Sequence, residues 1–277
     1  MSIFRLQDKR YVINFIKKKK MTDIQIFKEL HHQDEPLLLG NIWNVQSAKV
    51  YQKLGYKALA TSSSALAHSL GYEDGEEMSF EEYFYMVERI VKSVDIPLSV
   101  DLEGGYGKTV DEIISNILKL AAIGVAGINI EDSVVIDGTR KLLAQEDIYK
   151  KLKPIISELK KNTVEIFINL RTDPFLLGIE NPVDETLQRV NIFEELGVDG
   201  IFVPCITSEN DIKAIVNAAK VPVNVMCMPE LPDFETLKKL GVKRISCGNF
   251  LNEYIYNHLE DAGRRILAEQ SFSPIFV

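Results

Sequence analysis

The sequence predicts an α/β protein, a closed (β/α)8 TIM barrel with an N-terminal helical extension. Eight short apolar runs rich in β-branched residues recur along the chain, and amphipathic stretches of helical length lie between most of them. This alternation is typical of repeated βα units around a parallel sheet. The length of 277 residues suits such a barrel, which typically needs roughly 250 residues.

The predicted strands are the eight apolar runs Leu37–Trp43, Ala58–Ser62, Leu98–Glu103, Gly127–Asp132, Val164–Thr172, Gly200–Cys205, Val221–Cys227 and Arg244–Gly248. The predicted helices between them are Phe80–Val94, Val110–Ile123, Asp147–Lys160, Val183–Leu196, Glu209–Ala219 and Asp233–Leu240. Eight alternating units favour a closed barrel. An open doubly wound sheet is the alternative, because a strand count alone does not close a sheet.

One domain is predicted for the whole chain, residues 1–277. Residues 1–28 form the helical extension, which we expect to cover the bottom of the barrel. Residues 29–250 form the barrel, and residues 251–277 form a C-terminal helix and tail. Helices that end at a Gly before the next strand, as at Gly197 and Gly241, fit the left-handed conformation of a helix C-terminus.

Composition excludes several classes of function. The formal charge of −8 argues against nucleic-acid binding, which draws its affinity from clustered Lys and Arg. The three cysteines, Cys205, Cys227 and Cys247, are too few for a disulfide framework and suit a reducing compartment. The N-terminus has no signal-peptide pattern, and no apolar run is long enough to span a membrane. We therefore expect a soluble cytoplasmic protein with neither membrane nor nucleic-acid partners.

Carboxylates end two neighbouring predicted strands where the apolar runs turn polar. Asp101 and Glu103 end the third strand, and Glu131 ends the fourth. Residues two apart on a strand share a face, so Asp101 and Glu103 are predicted to point the same way, with Glu131 on a strand about 4.8 Å away. Asp132 alternates away from Glu131 and is given no catalytic role.

Three acids that converge at a barrel mouth repel one another unless they are protonated or neutralised by a cation. A hard divalent ion, Mg2+, is the simplest solution, with Mn2+ as a substitute. Because Mg2+ typically takes only one or two direct carboxylates, some of the acids would bind it through water. The alternative is that the acids form ion pairs with Lys and Arg on loops.

Two further positions indicate an anion site. Ser62 and Ser63 follow the second strand and open a helix, whose N-terminal N–H groups favour anions, although Ser is also an ordinary helix cap. Arg171 follows the fifth strand, where its guanidinium is suited to clamp a carboxylate in bidentate fashion. Pairing of Arg171 with Glu131 or Asp173 is an alternative that is compatible with this role.

These motifs, in this order, resemble the isocitrate lyase/phosphoenolpyruvate mutase superfamily. The similarity runs from about Phe27 to Leu251. It depends on the segments Leu39-Gly40-Asn41-Ile42-Trp43, Ala60-Thr61-Ser62-Ser63, Leu70-Gly71-Tyr72-Glu73-Asp74-Gly75, Asp101-Leu102-Glu103-Gly104-Gly105-Tyr106-Gly107, Asn129-Ile130-Glu131-Asp132 and Asn169-Leu170-Arg171-Thr172-Asp173.

The resemblance implies a set of site residues and an assembly. The metal shell would correspond to Asp74, Asp101, Glu103 and Glu131, directly or through water, and Asp74 enters on this ground alone. The substrate carboxylate would bind at the turn of Ser62 and Ser63, with Arg171 as a further contact. Members of the superfamily usually form homo-oligomers, so a tetramer or dimer is expected, and exchange of C-terminal helices between subunits stays open.

The departures from the superfamily pattern narrow the expected reaction. Isocitrate and methylisocitrate lyases carry a mobile loop with a Cys and a nearby His, whereas residues 132–143 contain neither. The longer gating loop of the phosphonate-forming mutases is also unmatched, and Pro204 stands where some mutases have His. Neither isocitrate lyase nor true mutase chemistry is expected.

The predicted function is that of a Mg2+-dependent lyase or decarboxylase. It would cleave a carbon–carbon bond of a small 2-oxo or 2-hydroxy carboxylic acid through a metal-stabilised enolate. Arg171, Tyr106 and Lys141, with Arg140 beside it, are the candidate groups that contact substrate, gate the site or move protons. The alternatives are a phosphonate-active mutase or hydrolase and a catalytically silent protein that binds oxo acids.

Overall fold

A computed structural model describes residues 21–276 of the chain. The predicted helical segment before residue 21 lies outside the described residues. The helices are α1 (Asp23–Leu30), α2 (Val45–Lys53), α3 (Ser63–Leu70), α4 (Phe80–Val91), α5 (Val110–Ala122), α6 (Gln145–Lys161), α7 (Pro182–Leu196), α8 (Glu209–Ala218), α9 (Phe234–Leu240) and α10 (Phe250–Glu269). The strands are β1 (Leu37–Leu38), β2 (Gly40–Ile42), β3 (Leu59–Thr61), β4 (Leu98–Asp101), β5 (Gly127–Glu131), β6 (Ser133–Ile136), β7 (Thr139–Leu142), β8 (Phe167–Arg171), β9 (Gly200–Val203), β10 (Val223–Met226) and β11 (Arg244–Ser246).

The parallel strands form a closed ring. Their order is β1-β11-β10-β9-β8-β5-β4-β3-β2, and every pairing is parallel. Leu39 alone separates β1 from β2, and its N–H donates to the Ile245 carbonyl at 2.9 Å. The two segments therefore act as one barrel strand, paired with β11 at one end and with β3 at the other. The prediction of a closed barrel is confirmed, and the open doubly wound sheet is wrong.

All eight predicted strands are present, but the hydrogen-bonded ladders are shorter than the apolar runs. The run from Val164 yields a strand that begins at Phe167, and the run from Val221 yields one that begins at Val223. The six predicted helices lie within three residues of their expected bounds. Helices α7 and α9 end as predicted at Gly197 and Gly241, with φ of 84° and 90°.

Two elements were missed by the sequence prediction. Helix α2 buries only Ser47, Ala48 and Tyr51, so its apolar period is weak. Strands β6 and β7 form an antiparallel hairpin where a loop was expected, with Asp137 and Gly138 at its tip. Both tip residues have positive φ, 50° and 69°, which is the two-residue turn that Asp-Gly favours.

Helix α1 fills the bottom of the barrel. Phe27 is fully buried, and its ring packs edge-on against Phe167 with centroids 5.4 Å apart. Gly127 makes this approach possible, because a Cβ there would lie 2.8 Å from the Phe27 ring. His31, one turn later, stacks on Phe167 at 4.2 Å, and its Nδ1 lies 2.7 Å from the Phe27 carbonyl. This apolar plug closes the end of the barrel opposite to the carboxylates.

Within residues 21–276, no helix is both long and apolar enough to cross a bilayer.

His31 gives the fold a predicted pH dependence. Burial, together with nearby Arg244, lowers the pKa of His31 to about 3 from 6.5. Below about pH 6.5, His31 is protonated in the unfolded chain but stays neutral in the folded chain. The free energy of unfolding therefore falls as the pH decreases. The contribution lost by pH 5 is about 2 kcal/mol. Urea unfolding of the protein and of His31→Gln at pH 7 and pH 5 checks this. An equal loss of stability in the variant would assign the effect to other groups.

Candidate functional site

The carboxyl ends of three adjacent strands bring the candidate residues to one side of the barrel mouth. Asp101 ends β4, Glu131 ends β5 and Arg171 ends β8. Asp101 pairs in register with Asn129, and Glu131 pairs with Arg171. In barrels of this kind the active site lies at the carboxyl ends of the strands. The register alone therefore places these charged side chains together.

Asp101 is held by hydrogen bonds to the end of β3 and the start of α3. The Ser63 hydroxyl donates to its Oδ2 at 3.0 Å, and the backbone N–H of Asp101 donates to Thr61 Oγ1 at 2.9 Å. Burial raises the pKa of Asp101, while the Arg171 guanidinium opposes the rise. Oδ1 is buried and has no hydrogen-bond partner in the described part of the chain. Asp101 thus has Oδ2 held by a hydrogen bond, and Oδ1 is available to a ligand.

Glu103 reaches the site by a different route from the one predicted. Strand β4 ends at Asp101, and Glu103 adopts a left-handed φ of 49° in the following turn. The argument from alternation along a strand is therefore wrong for Glu103. Its side chain is nevertheless buried, and the Tyr106 hydroxyl donates to Oε1 at 2.9 Å. Burial, with the nearby charges of Asp74 and Asp101, raises the pKa of Glu103 to about 9.

Glu131 lies between two arginines. Arg171 Nη1 is 3.2 Å from Glu131 Oε2, and Arg140 Nη1 donates to Oε1. Arg140 also has Nη2 3.6 Å from Asp74 Oδ2, while Arg171 Nε donates to Asp173 Oδ1 at 2.7 Å. Burial raises the pKa of Glu131 against the pull of both guanidinium groups. The ion pairs left open by the sequence are thus formed at Glu131.

The hairpin decides which basic residue enters the cluster. Arg140 and Lys141 are adjacent on β7, and side chains alternate along a strand. Arg140 turns toward Glu131 and Asp74, so Lys141 faces outward and is exposed. The structure does not bring Lys141 to the acids, and the prediction that it gates the site lacks geometric support. The Asp-Gly dipeptide directly after the β-branched run Val134-Val135-Ile136 was the signal for this hairpin.

Tyr106 positions Glu103. Its own φ is 53°, and its ring stacks on Tyr83 with centroids 4.8 Å apart. The backbone N–H of Tyr106 donates to Glu76 Oε1 at 2.7 Å. These contacts fix the phenol, so its hydroxyl holds Glu103 Oε1, while Oε2 has no hydrogen-bond partner among the residues described.

A small cavity opens beside the carboxylates at the centre of the mouth. Its volume is about 190 Å³. On one side it is lined by the β3 to α3 turn, where Ser62 and Ser63 are both 5% exposed. The Ser62 hydroxyl accepts from the Ala65 N–H at 3.3 Å and caps α3. The charged residues that line the cavity are Asp74, Asp101, Arg171 and Arg244. Arg244 was not among the predicted site residues.

Asp132 belongs to a separate buried contact. It accepts from the Thr172 hydroxyl at 2.6 Å and from Arg189 Nη1 at 3.0 Å. Its other carboxylate oxygen, Oδ1, accepts from the Asp173 N–H, so both oxygens have partners. Asp132 directly follows β5, and its side chain points away from Glu131. A role in packing α7 against the barrel follows from these contacts.

The acids at the mouth fit a hard metal ion. Asp74, Asp101 and Glu103 each have one buried carboxylate oxygen without a hydrogen-bond partner among residues 21–276, whereas Glu131 Oε2 lies 3.2 Å from Arg171 Nη1. Such an oxygen is costly to bury unless a donor or a cation satisfies it. No three His, Cys, Asp or Glu side chains between residues 21 and 276 are arranged to hold a metal by themselves. Mg2+ suits this arrangement, because it binds through one or two carboxylates and retains water and substrate ligands.

Comparison with known proteins places the chain in a family. The model of a family described as phosphoenolpyruvate phosphomutase matches residues 27–267. A protein of Mycobacterium tuberculosis described as uncharacterized is 31% identical over 223 residues, which are 80% of this chain and 81% of that protein. Oxaloacetate decarboxylase of Paraburkholderia xenovorans is 26% identical over 80% of this chain and 75% of its own length.

A solved structure from Burkholderia cenocepacia J2315, proposed to be a phosphonomutase, superposes with a TM-score of 0.82 at 34% identity. The match covers 87% of this chain and 99% of that one. The named relatives include oxaloacetate decarboxylase and 2-methylisocitrate lyase, which supports the prediction of an enzyme of the carbon–carbon lyase type. The chain belongs to the phosphoenolpyruvate mutase family, within the isocitrate lyase/phosphoenolpyruvate mutase superfamily that its motifs resemble.

Proposed function

We propose that this protein is a Mg2+-dependent lyase or decarboxylase that cleaves a carbon–carbon bond of a small 2-oxo or 2-hydroxy carboxylic acid. The observation that carries the proposal is the set of buried carboxylate oxygens on Asp74, Asp101 and Glu103 that have no hydrogen-bond partner in the described part of the chain. Two of these acids, Asp74 and Asp101, line a cavity that Arg171 also lines. Relatives named oxaloacetate decarboxylase and 2-methylisocitrate lyase agree with this reaction class.

Asp74, Asp101, Glu103 and Glu131 are the proposed ligands of the ion, directly or through water, with Mn2+ as a substitute. When bound, Mg2+ would polarise the 2-oxo group and stabilise the enolate that remains after the adjacent carbon–carbon bond breaks. The chain supports this role by keeping the acids buried and by balancing part of their charge with arginines.

The substrate carboxylate is proposed to bind between α3 and Arg171. Ser63 and Ser64 open the first turn of α3 and line the cavity, and the first N–H groups of a helix, which have no acceptor within it, favour anions. The Ser63 hydroxyl is already committed to Asp101, so Ser63 contributes its backbone N–H. Arg171 supplies a guanidinium that its carboxylate neighbours hold in place. This pairing orients the bond to be broken toward the acids.

Decarboxylation and cleavage of a 2-hydroxy acid differ in the proton transfers that they require. Decarboxylation requires little beyond the electrophile, whereas cleavage of a 2-hydroxy acid also needs a base for the hydroxyl proton. Tyr106, which contacts Glu103, and Arg140, on the hairpin over the acids, are the proposed positioning groups near the reacting atoms. Their contacts favour decarboxylation, because each is already engaged by a carboxylate.

A phosphonate-active enzyme is the second candidate, favoured by the 34%-identical structure proposed to be a phosphonomutase. Release of phosphate from phosphonopyruvate would support this candidate, and tight oxalate binding without turnover would support a protein that binds oxo acids without catalysis. Release of pyruvate separates both from the lyase.

The first prediction concerns activity. In a screen of 2-oxo and 2-hydroxy acids with Mg2+, we expect pyruvate to be released from an oxaloacetate-like acid. Chelation by EDTA is expected to abolish the activity, and added Mn2+ to restore it. Coupled detection of pyruvate and phosphate measures both chemistries in one assay. Phosphate without pyruvate would reject the carbon–carbon lyase.

A second prediction tests the metal ligands. Asp101→Asn removes a charge but little volume, and we expect activity to fall by more than about 100-fold, because even indirect ligands typically contribute 10- to 100-fold. The Mg2+-induced rise in melting temperature should disappear as well. Asp111→Asn, on the exposed first turn of α5, is the matched control. An Asp101→Asn protein that Mg2+ still stabilises would contradict the assignment.

We also propose that the protein is a homo-oligomer, a tetramer or a dimer. Helix α10 exposes large apolar side chains along one face, including Leu251, Ile255 and Leu259, and Val50 and Leu54 of the α2 region lie beside them. Contiguous exposed apolar surface of this kind is typical of an interface.

The third prediction is that Leu259→Glu shifts the assembly toward the monomer, measured by size-exclusion chromatography with light scattering. Leu259 is 63% exposed in the single chain, so the substitution leaves the fold intact and adds a charge to the interface. Asn257→Glu adds the same charge on the opposite side of α10 and should leave the assembly unchanged. A wild-type monomer would contradict the proposal.

A further inference from the structure

Arg244 is a buried cation whose hydrogen-bonding capacity is mostly unused. It begins β11 and is 1% exposed. Its Nη2 donates to Asn129 Oδ1 at 3.1 Å, and its guanidinium carbon lies 5.9 Å from the centroid of the Phe27 ring. Nε and Nη1 are buried and have no partner among the residues that the structure describes.

The other buried arginines of the barrel have carboxylate partners. Arg171 pairs with Glu131 and Asp173, and Arg189 pairs with Asp132. A buried charge without such a partner is strongly destabilising, so an unsatisfied guanidinium in a native interior calls for an explanation. Burial lowers the pKa of Arg244 to about 9, which still leaves the side chain positively charged at neutral pH.

Arg244 faces the same cavity as the proposed substrate site. It lines the cavity together with Asp101 and Arg171. The Asn129 side chain that Arg244 contacts lies in register with Asn169, and Arg171 follows Asn169 by two residues, ~6.6 Å further toward the mouth. The two guanidinium groups thus approach the cavity at different depths, Arg171 near the mouth and Arg244 near the floor.

We propose that Arg244 forms a second anion-binding position, which takes the second carboxylate of a 2-oxo or 2-hydroxy dicarboxylic acid. Nε and Nη1 are the unused donors, on different edges of the guanidinium, and either one can give a charge-assisted hydrogen bond to a carboxylate oxygen in the cavity. The proposal rests on the proposed function for the first carboxylate, which binds between α3 and Arg171. Arg244 then selects dicarboxylates over monocarboxylates of the same length.

Binding of malate and lactate tests the selection without turnover. Lactate keeps the 2-hydroxy acid and lacks the distal carboxylate. By calorimetry in the presence of Mg2+, the wild-type protein should bind malate at least ~10-fold more tightly than lactate, as expected for a charge-assisted pair. Arg244→Met, which keeps the length of the side chain, should remove this preference and leave lactate binding unchanged. Arg244→Lys should retain part of it.

A control separates ligand binding from packing. Phe27→Leu removes the ring beneath Arg244 but keeps the cation, so its preference for malate should persist while its melting temperature falls. A wild-type protein that binds lactate as tightly as malate, or a folded Arg244→Met protein that still prefers malate, would overturn the proposal. If Arg244→Met does not fold, an undiminished preference in Arg244→Lys overturns it.

Two further outcomes define the anion and the link to function. Phosphonopyruvate bound more tightly than malate, with the difference lost in Arg244→Met, would assign the position to a phosphonate and overturn the carboxylate. A preference for malate that depends on Arg244 in a protein that releases no pyruvate would sustain this inference and reject the lyase. Pyruvate release by an Arg244→Met protein that still prefers malate to lactate would support the lyase and reject this inference.

Discussion

Repulsion between buried carboxylates at the mouth of the barrel is the constraint on which the site depends. The charges of Asp74, Asp101 and Glu131 lie close to Glu103, and together with burial they raise the pKa of Glu103 to about 9. The acids must share protons or gain a cation to coexist. Arg140 and Arg171 supply two positive charges, but both contact Glu131, and within residues 21–276 Glu103 forms no ion pair with a basic side chain. The remaining imbalance favours a divalent ion.

The apolar contacts that stabilise the fold lie away from the polar mouth of the barrel. A large apolar core lies between the strands and the surrounding helices, and a second apolar cluster around Phe27, Leu39 and Phe167 fills the bottom of the barrel. Between this plug and the acids, the barrel interior is polar, with Asn169 donating to both Asn129 and Asn224. Hydrogen bonds across the interior satisfy groups that would otherwise be costly to bury. The candidate site and the apolar cluster around Phe27 therefore lie at opposite ends of the same barrel.

Sequence reasoning predicted the fold well because βα repetition is local. Each apolar run and each amphipathic stretch can be recognised over a few residues. In a parallel barrel, functional groups lie at the carboxyl ends of the strands, which are the ends of the apolar runs. Asp101 and Glu131 followed from this rule. Glu103 was placed correctly for the wrong reason, because a left-handed turn replaces the strand beyond Asp101. The periodic pattern carries no information about that turn.

What sequence reasoning left open or missed depends on strand register and on contacts between distant segments. The choice of Arg140 over Lys141 required the register of a hairpin. Arg244 begins an apolar run at the bottom of the barrel, where rules based on strand ends predict a structural residue. Its contact with Asn129 joins positions 115 residues apart in sequence.

That contact exists only because β11 closes the ring against β1 and so lies across the interior from β5. In an open sheet the same Arg would sit near an edge, where solvent would satisfy its guanidinium. Closure instead buries the cation beneath a cavity lined by Asp101 and Arg171. Closure of the barrel therefore brings the acids together and also places the positive charge of Arg244 at the bottom of the cavity. Arg171 supplies a second positive charge near the mouth. A ligand with anionic groups at both ends is complementary to that distribution, whereas one with a single anionic group leaves a buried guanidinium unsatisfied.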